Sequence, residues 1–375
     1  MRFNGLSETS TTDVGDNSYR EKESNNSKTT ANIIRNDYTV SGTVSGYDLN
    51  AGNAVYECSC GQTKYEKIYI DRDALVYRLS GSTRYDTAFK AADCLKEVLG
   101  VSKFDSAVIA TGKNFADALS GSYLAYVNEA PMLLTNGKNV DDVKDYIKKN
   151  VKTGGTIYLL VGTGAVPSSM ESGMSSYEVI RLAGENRYET NLLILEEAGV
   201  DNQELVVCTG KNYADSLSAS AVKKPILLVK TNITDEHKEL FLDNEVENFY
   251  IIGGTGAVSE RVQMELEEYG IVDRIYGDTR YETSAEVAEY FFESADAAVL
   301  AYGKNFPDGL CGGPLACGLN GPLILTASDK TSFAKKYTKA YSIEQGYVLG
   351  GTGLISDAAT RTIFNKSSNN TILLY

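Results

Sequence analysis

Short apolar runs and longer amphipathic stretches alternate along most of the chain. In one stretch the runs DSAVIAT (105–111), PMLLT (131–135), TIYLLVG (156–162) and YEVIRLAG (177–184) have the length and continuity of buried strands. Between them, RYDTAFKAADCLKEVLG (84–100), NFADALSGSYLAYVNEA (114–130) and VDDVKDYIKKN (140–150) carry apolar positions at helical spacing. Strands that alternate with helices of this length predict parallel sheets covered on both faces. Residues 1–36 are rich in Ser, Thr and Asn with few large apolar side chains, which predicts disorder. Residues 37–76 alternate and carry turn signals, and read as a small β-element.

The alternation is itself repeated. RLSGSTRYDT (78–87) returns as RLAGENRYET (181–190) and RIYGDTRYET (274–283). TGKNFADALS (111–120) returns as TGKNYADSLS (209–218) and YGKNFPDGLC (302–311). A proline with an apolar run follows each (PMLLT, PILLV, PLILT), and then a glycine turn (LLVGTGAVP, IIGGTGAVS, VLGGTGLIS). The order never changes and the spacing stays between 92 and 103 residues. Copies of this size are small α/β units rather than solenoid repeats. The boundaries expected are 77–178, 179–271 and 272–375.

The Gly-Lys-Asn segment ends a strand and opens a helix. Gly112, Gly210 and Gly303 fit a sharp turn with φ > 0. Asn114, Asn212 and Asn305 fit N-caps, with Asp117, Asp215 and Asp308 at N3. Lys113, Lys211 and Lys304 are left over, because a cation gains nothing at the positive end of a helix; beside free N–H groups they point to an anion site. The pairs Arg78/Arg84, Arg181/Arg187 and Arg274/Arg280 bracket a second glycine turn. Two readings stand for them: a buried ion pair of each second arginine with its own unit's aspartate, or a grip on a carboxylate or phosphate. Tyr85, Tyr188 and Tyr281 repeat beside them and offer stacking surface for sugars. The turn G-x-G-x-x-[P/S/S] has Pro167, Ser259 or Ser356 where a dinucleotide fingerprint has its third glycine, so a tight βα turn suffices. No G-x-S-x-G, phosphate-loop or H-E-x-x-H motif occurs, and the single histidine, His237, reads as a helix-surface residue.

A formal charge of −14 argues against nucleic acid or an anionic membrane as partner of the whole surface. No apolar run is long enough to span a bilayer, and the N-terminus shows no apolar segment of a signal peptide. Of six cysteines, Cys94 and Cys208 sit in apolar runs and read as buried. Cys58 and Cys60 form a C-x-C, with no second Cys/His pair at zinc-site spacing, so neither metal nor cofactor is expected.

Four ordered motifs repeated three times over about residues 76–375 resemble the tandem cell-wall-binding repeat 2 (CWB2) of clostridial and other Gram-positive surface proteins. The resemblance implies three Rossmann-like (toprim-like) modules in a pseudo-threefold arrangement, within a monomer. It implies location at the cell wall, and non-covalent anchoring to an anionic secondary wall polymer rather than catalysis. The family's Ile-Leu-Leu anchoring motif maps onto Met132-Leu133-Leu134, Ile226-Leu227-Leu228 and Leu323-Ile324-Leu325, which burial logic places in the core. The third copy departs from the pattern at Pro307 and GLCGGPLACG. A nucleotide- or sugar-phosphate-binding enzyme and a purely structural or adhesive domain remain the alternatives.

Overall fold

The computed structural model describes residues 74–375 except 201–202 and 367–370, and within the first 73 residues the backbone of five short strands. The chain divides into the units Met1–Asp73 and Ala74–Tyr375. In the first, β1 (Ser18–Arg20) pairs antiparallel with β2 (Ile33–Arg35). The β-element expected after residue 37 is an antiparallel meander of β3 (Tyr38–Val44), β4 (Ala51–Cys58) and β5 (Thr63–Tyr69). Apart from β1 and β2, the stretch 1–36 read as disordered lies outside the described residues, as do the side chains of Cys58 and Cys60.

The second unit opens with β6 (Leu75–Leu79) and α1 (Arg84–Val98). Next come β7 (Phe104–Thr111), α2 (Ala116–Val127), β8 (Met132–Thr135), α3 (Val140–Asn150), β9 (Val151–Leu160) and β10 (Glu178–Leu182). The second series is α4 (Arg187–Ala198), β11 (Glu204–Thr209), α5 (Ala214–Ala219), β12 (Ile226–Val229), α6 (Asp235–Asp243), β13 (Asn248–Ile252), α7 (Glu260–Glu267) and β14 (Ile271–Ile275). The third is α8 (Arg280–Phe291), β15 (Ala297–Tyr302), α9 (Gly312–Gly318), β16 (Leu323–Thr326), α10 (Ser332–Ala340), β17 (Gln345–Leu349), α11 (Asp357–Ile363) and β18 (Leu373–Leu374).

These strands make three parallel sheets, ordered β10-β9-β7-β8, β12-β11-β13-β14 and β16-β15-β17-β6-β18. The runs Met132–Leu134, Ile226–Leu228 and Leu323–Leu325 are buried, as continuous apolar strands under helices on both faces should be. The lobes pack in a cycle, α2 on α4, α5 on α8 and α9 on α1, so each contact joins one copy to the start of the next. Cys94 and Cys208 are buried. His237, read as a surface residue, is buried instead at the start of α6, where its Nδ1 accepts the Thr234 N–H at 3.2 Å. Burial pulls its pKa down, outweighing the Glu236 carboxylate, which acts to raise it.

The sheets do not follow the sequence repeat. Each lobe takes its last strand from the segment that begins the next copy, and β6, from the first copy, enters the third sheet beside β17. The tail strand expected to complete that sheet is present as β18, but its neighbour is β6, with Leu373 opposite Tyr77. The chain thereby closes on itself. Arg78 of β6 is the bolt: 2% exposed, it donates from Nη1 to Gly350 O at 2.9 Å. Its Nη2 donates to Ile355 O, Asp357 Oδ1 and Thr360 Oγ1 at 2.9, 2.9 and 3.2 Å. Arg78→Met strands the buried acceptors of Gly350, Ile355 and Thr360 and should lower stability by about 2–4 kcal/mol in urea unfolding. A loss below about 0.5 kcal/mol would mean that the closure does not hold the lobes together.

Candidate functional site

Each Gly-Lys-Asn loop leaves the C-terminal end of an inner strand, β7, β11 or β15, where strand order reverses within its sheet. Open α/β sheets hold ligands at this point. The residue after each asparagine is aromatic, and the three rings meet: Phe115–Tyr213 at 6.1 Å, Phe115–Phe306 at 5.8 Å and Tyr213–Phe306 at 5.5 Å between centroids. The aromatic triad was not singled out by the sequence reading, although the shared aromatic position was its signal. It draws the three loops to one end of the pseudo-threefold axis. Lys113, Lys211 and Lys304 are exposed around it. Lys304 pairs with Asp329 at 2.7 Å, while among the described residues the ammonium groups of Lys113 and Lys211 have no bonded partner.

The motif's other residues do different work from that expected. Gly112, Gly210 and Gly303 do not have positive φ. They are glycine because a tyrosine ring lies against them: a Cβ would stand 2.6, 2.5 and 2.4 Å from Cε1 of Tyr85, Tyr188 and Tyr281. Asn114, Asn212 and Asn305 do not cap helices. Each Oδ1 accepts the N–H of the next residue, at 2.8, 2.7 and 2.9 Å, leaving Phe115 and Tyr213 as the N-caps of α2 and α5. Asp117 and Asp215 are the second residues of their helices, while α9 begins only after Asp308. The side-chain caps stand instead in the arginine segment, where Thr83, Asn186 and Thr279 accept from the backbone of α1, α4 and α8.

The two arginines of each pair separate. Arg78, Arg181 and Arg274 turn inward, each onto the glycine turn of the preceding lobe. Arg181 Nη1 donates to Val161 O and Val166 O at 2.7 and 3.0 Å, and Arg274 Nη1 to Gly253 O and Val258 O, both at 2.9 Å. Arg84, Arg187 and Arg280 are half-buried at the lobe boundaries, each donating from Nη1 to its own Gly112, Gly210 or Gly303 carbonyl at 2.7, 2.5 and 2.9 Å. Arg187 and Arg280 also lie over the rings of Phe115 and Tyr213 in the preceding lobe, 5.1 and 5.3 Å from the centroids.

An ion pair between each second arginine and its own unit's aspartate does not form. The charge that acts on Asp117 is Arg187, on Asp215 Arg280 and on Asp308 Arg84, always from the next copy around the ring. The reason is the cyclic packing, which sets the start of one copy against the central helix of the last. Among the described residues no direct ion pair links them, and burial outweighs the arginine. All three carboxyls are pushed up, Asp215 to about 6.

Three parallel α/β lobes closed in a cycle, with cationic loops gathered at one end of the axis, define a repeat-built binding module. The chain belongs to the Cell wall binding domain 2 (CWB2) family, whose profile matches residues 78–171, 181–263 and 274–360. It is therefore a cell-wall-associated protein. Each matched segment begins at or beside the arginine that bolts the previous lobe. The chain is 29% identical over 310 residues to N-acetylmuramoyl-L-alanine amidase LytC of Bacillus subtilis (strain 168), covering 80% of this chain and 60% of the relative. It is 29% identical over 307 residues to the amidase enhancer of the same organism, covering 80% and 41%. The chain thus spans 60% or less of either relative. Cwp6 from Clostridium difficile has the same fold, with a TM-score of 0.70 and 19% identity over 92% of this chain and 60% of that one. Cwp8 has a TM-score of 0.70 and 20% identity over 89% and 64%.

Because the folded state raises the pKa of Asp215, its protonation contributes stability that is full below about pH 4 and lost as pH rises through about 6. Asp215→Asn removes this dependence. Relative to the wild type, the variant should gain on the order of 2–3 kcal/mol between pH 4 and 7.5 in urea unfolding. A constant difference across that range would mean that the carboxyl is not held neutral. In the same lobe, Gly210→Ala drives a Cβ into Tyr188 and should cost about 1–3 kcal/mol.

Proposed function

We propose that this chain anchors a protein to the cell wall by binding an anionic secondary wall polymer at three weak sites, one per lobe, and that the chain itself is a binding module rather than an enzyme. The observation that carries this reading is the half-buried second arginine at each lobe boundary, which spends one donor nitrogen on the carbonyl of the glycine that precedes an exposed lysine. A guanidinium held in place, with donors to spare, suits a carboxylate or phosphate.

A net charge of −14 does not oppose this, since repulsion is screened beyond about 8–10 Å at physiological salt. Each site alone is weak. Three on one rigid frame meet a polymer with repeating charge, so later contacts become intramolecular and avidity gains about 10²–10⁴. Tyr85, Tyr188 and Tyr281 pack against the motif glycines.

Co-sedimentation with purified Gram-positive wall, with and without its anionic polymer, tests the reading. Wild-type protein should pellet only with the polymer-bearing wall. The K113E/K211E/K304E variant should bind at least about tenfold more weakly, with a melting temperature within about 2 °C of wild type. Equal binding to stripped wall would sink the proposal. A large fall in melting temperature would assign the lysines to the fold.

A further inference from the structure

The turn Gly162-Thr163-Gly164 follows β9, and its counterparts Gly254-Thr255-Gly256 and Gly351-Thr352-Gly353 follow β13 and β17. Nothing in the fold requires glycine there. A Cβ at Gly162, Gly164, Gly256 or Gly353 would meet no atom within 4 Å, and at Gly254 and Gly351 it would make ordinary contacts of 3.6 and 3.5 Å. None of the six has a left-handed φ. Yet all three copies write the same residues at the same place. A glycine that neither backbone nor packing needs leaves the main chain open to close approach from outside.

The turn's hydrogen bonds point the same way. The N–H groups of Ala165 and Val166 return to Gly162 O, those of Ala257 and Val258 to Gly254 O, and those of Leu354 and Ile355 to Gly351 O. The carbonyls flanking each turn are taken by Arg181, Arg274 and Arg78. What remains is a run of donors: among the described residues, the N–H groups of each Gly-Thr-Gly triplet have no protein acceptor. The turn is held rigid by a guanidinium that also lends it positive charge. Successive free N–H groups of this kind form an anion-binding concavity. The residue before the turn lies on the aspartate that follows the Gly-Lys-Asn loop: a Cβ on Gly253 would stand 2.7 Å from Asp215 Oδ2, and one on Gly350 3.1 Å from Asp308 Oδ2, so the donors must outweigh a nearby carboxyl.

The three turns are not equal. Arg78 and Arg181 form ion pairs with Asp357 and Glu171, whereas Arg274 Nε donates to the neutral Gln263 Oε1 and the Glu260 carboxylate acts on it only from outside ion-pair distance. Tyr276, 55% exposed, lies against Gly254, where the other copies have Ser80 and Ala183. An exposed ring beside free donors suits a sugar that carries a charge.

Resting on the anchoring reading, we propose that each Gly-Thr-Gly turn is a main-chain donor site for one oxoanion substituent of the wall glycan, the second lobe's being the strongest. The test measures binding of wild type, G164A/G256A/G353A and the single variants G164A, G256A and Y276A to three walls. These are untreated wall, wall freed of phosphodiesters by hydrofluoric acid, and wall whose carboxylates are amidated with carbodiimide. The triple variant should bind untreated wall at least about tenfold more weakly and melt within about 2 °C of wild type. G256A and Y276A should each weaken binding more than G164A. Loss of wild-type binding on one treated wall names the oxoanion as phosphodiester or carboxylate. A triple variant that binds like wild type, or that melts many degrees lower, overturns the site while leaving wall anchoring in place. Wild-type protein that ignores the untreated wall, or holds all three walls alike, overturns the anchoring reading as well.

Discussion

The strand before each glycine turn, β9, β13 or β17, needs a hydrogen-bonded partner on its outer side, and here the first strand of the following copy supplies it. That single constraint organises the second unit. Because β10 and β14 are lent back to the preceding lobe, the third lobe has no following copy to borrow from. It takes β6 from the first copy instead, and the array must close. Arg78, Arg181 and Arg274 sit on those lent strands, and each ties down the glycine turn of the lobe it joins. Removing one copy would therefore take the last strand from the lobe before it.

Closure also decides where charge resides. The helix that follows each lent strand packs on the central helix of the preceding lobe, which brings Arg84, Arg187 and Arg280 to lobe boundaries. There each guanidinium acts on a carboxyl of a different copy, and two of them lie over a neighbour's aromatic ring. A cationic position built from two lobes is only as well ordered as the contact between them. The aromatic triad on the axis keeps that contact tight where the loops meet. Rigid spacing of several weak sites is what multivalent attachment to a repeating polymer requires.

Much of this was legible in the residues. Strand–helix alternation, the three copies, the buried apolar runs after the prolines and a strand in NTILLY all follow from local pattern, because burial on both faces of a parallel sheet writes continuous apolar segments. The cap signals were legible too, but attached to the wrong element. Asn114 satisfies the neighbouring N–H of Phe115 rather than a helix end, and Thr83-x-x-Asp86 is the true capping box. Gly112 shows the same limit. Its sequence context fits a left-handed turn equally well as a bed for a tyrosine ring, and only the ring of Tyr85 distinguishes them.

The sequence by itself therefore determined the number of units, their α/β class, their core strands and the short list of polar residues that repeat. Only the tertiary structure decided which copy each arginine serves, that the first strand belongs to the third sheet, and that the Gly-Thr-Gly turns keep free main-chain donors. Local periodicity is set by residues a few positions apart, whereas these pairings join residues tens to hundreds of positions apart. Arg78 and Gly350, 272 positions apart, meet only because the three lobes close into a ring.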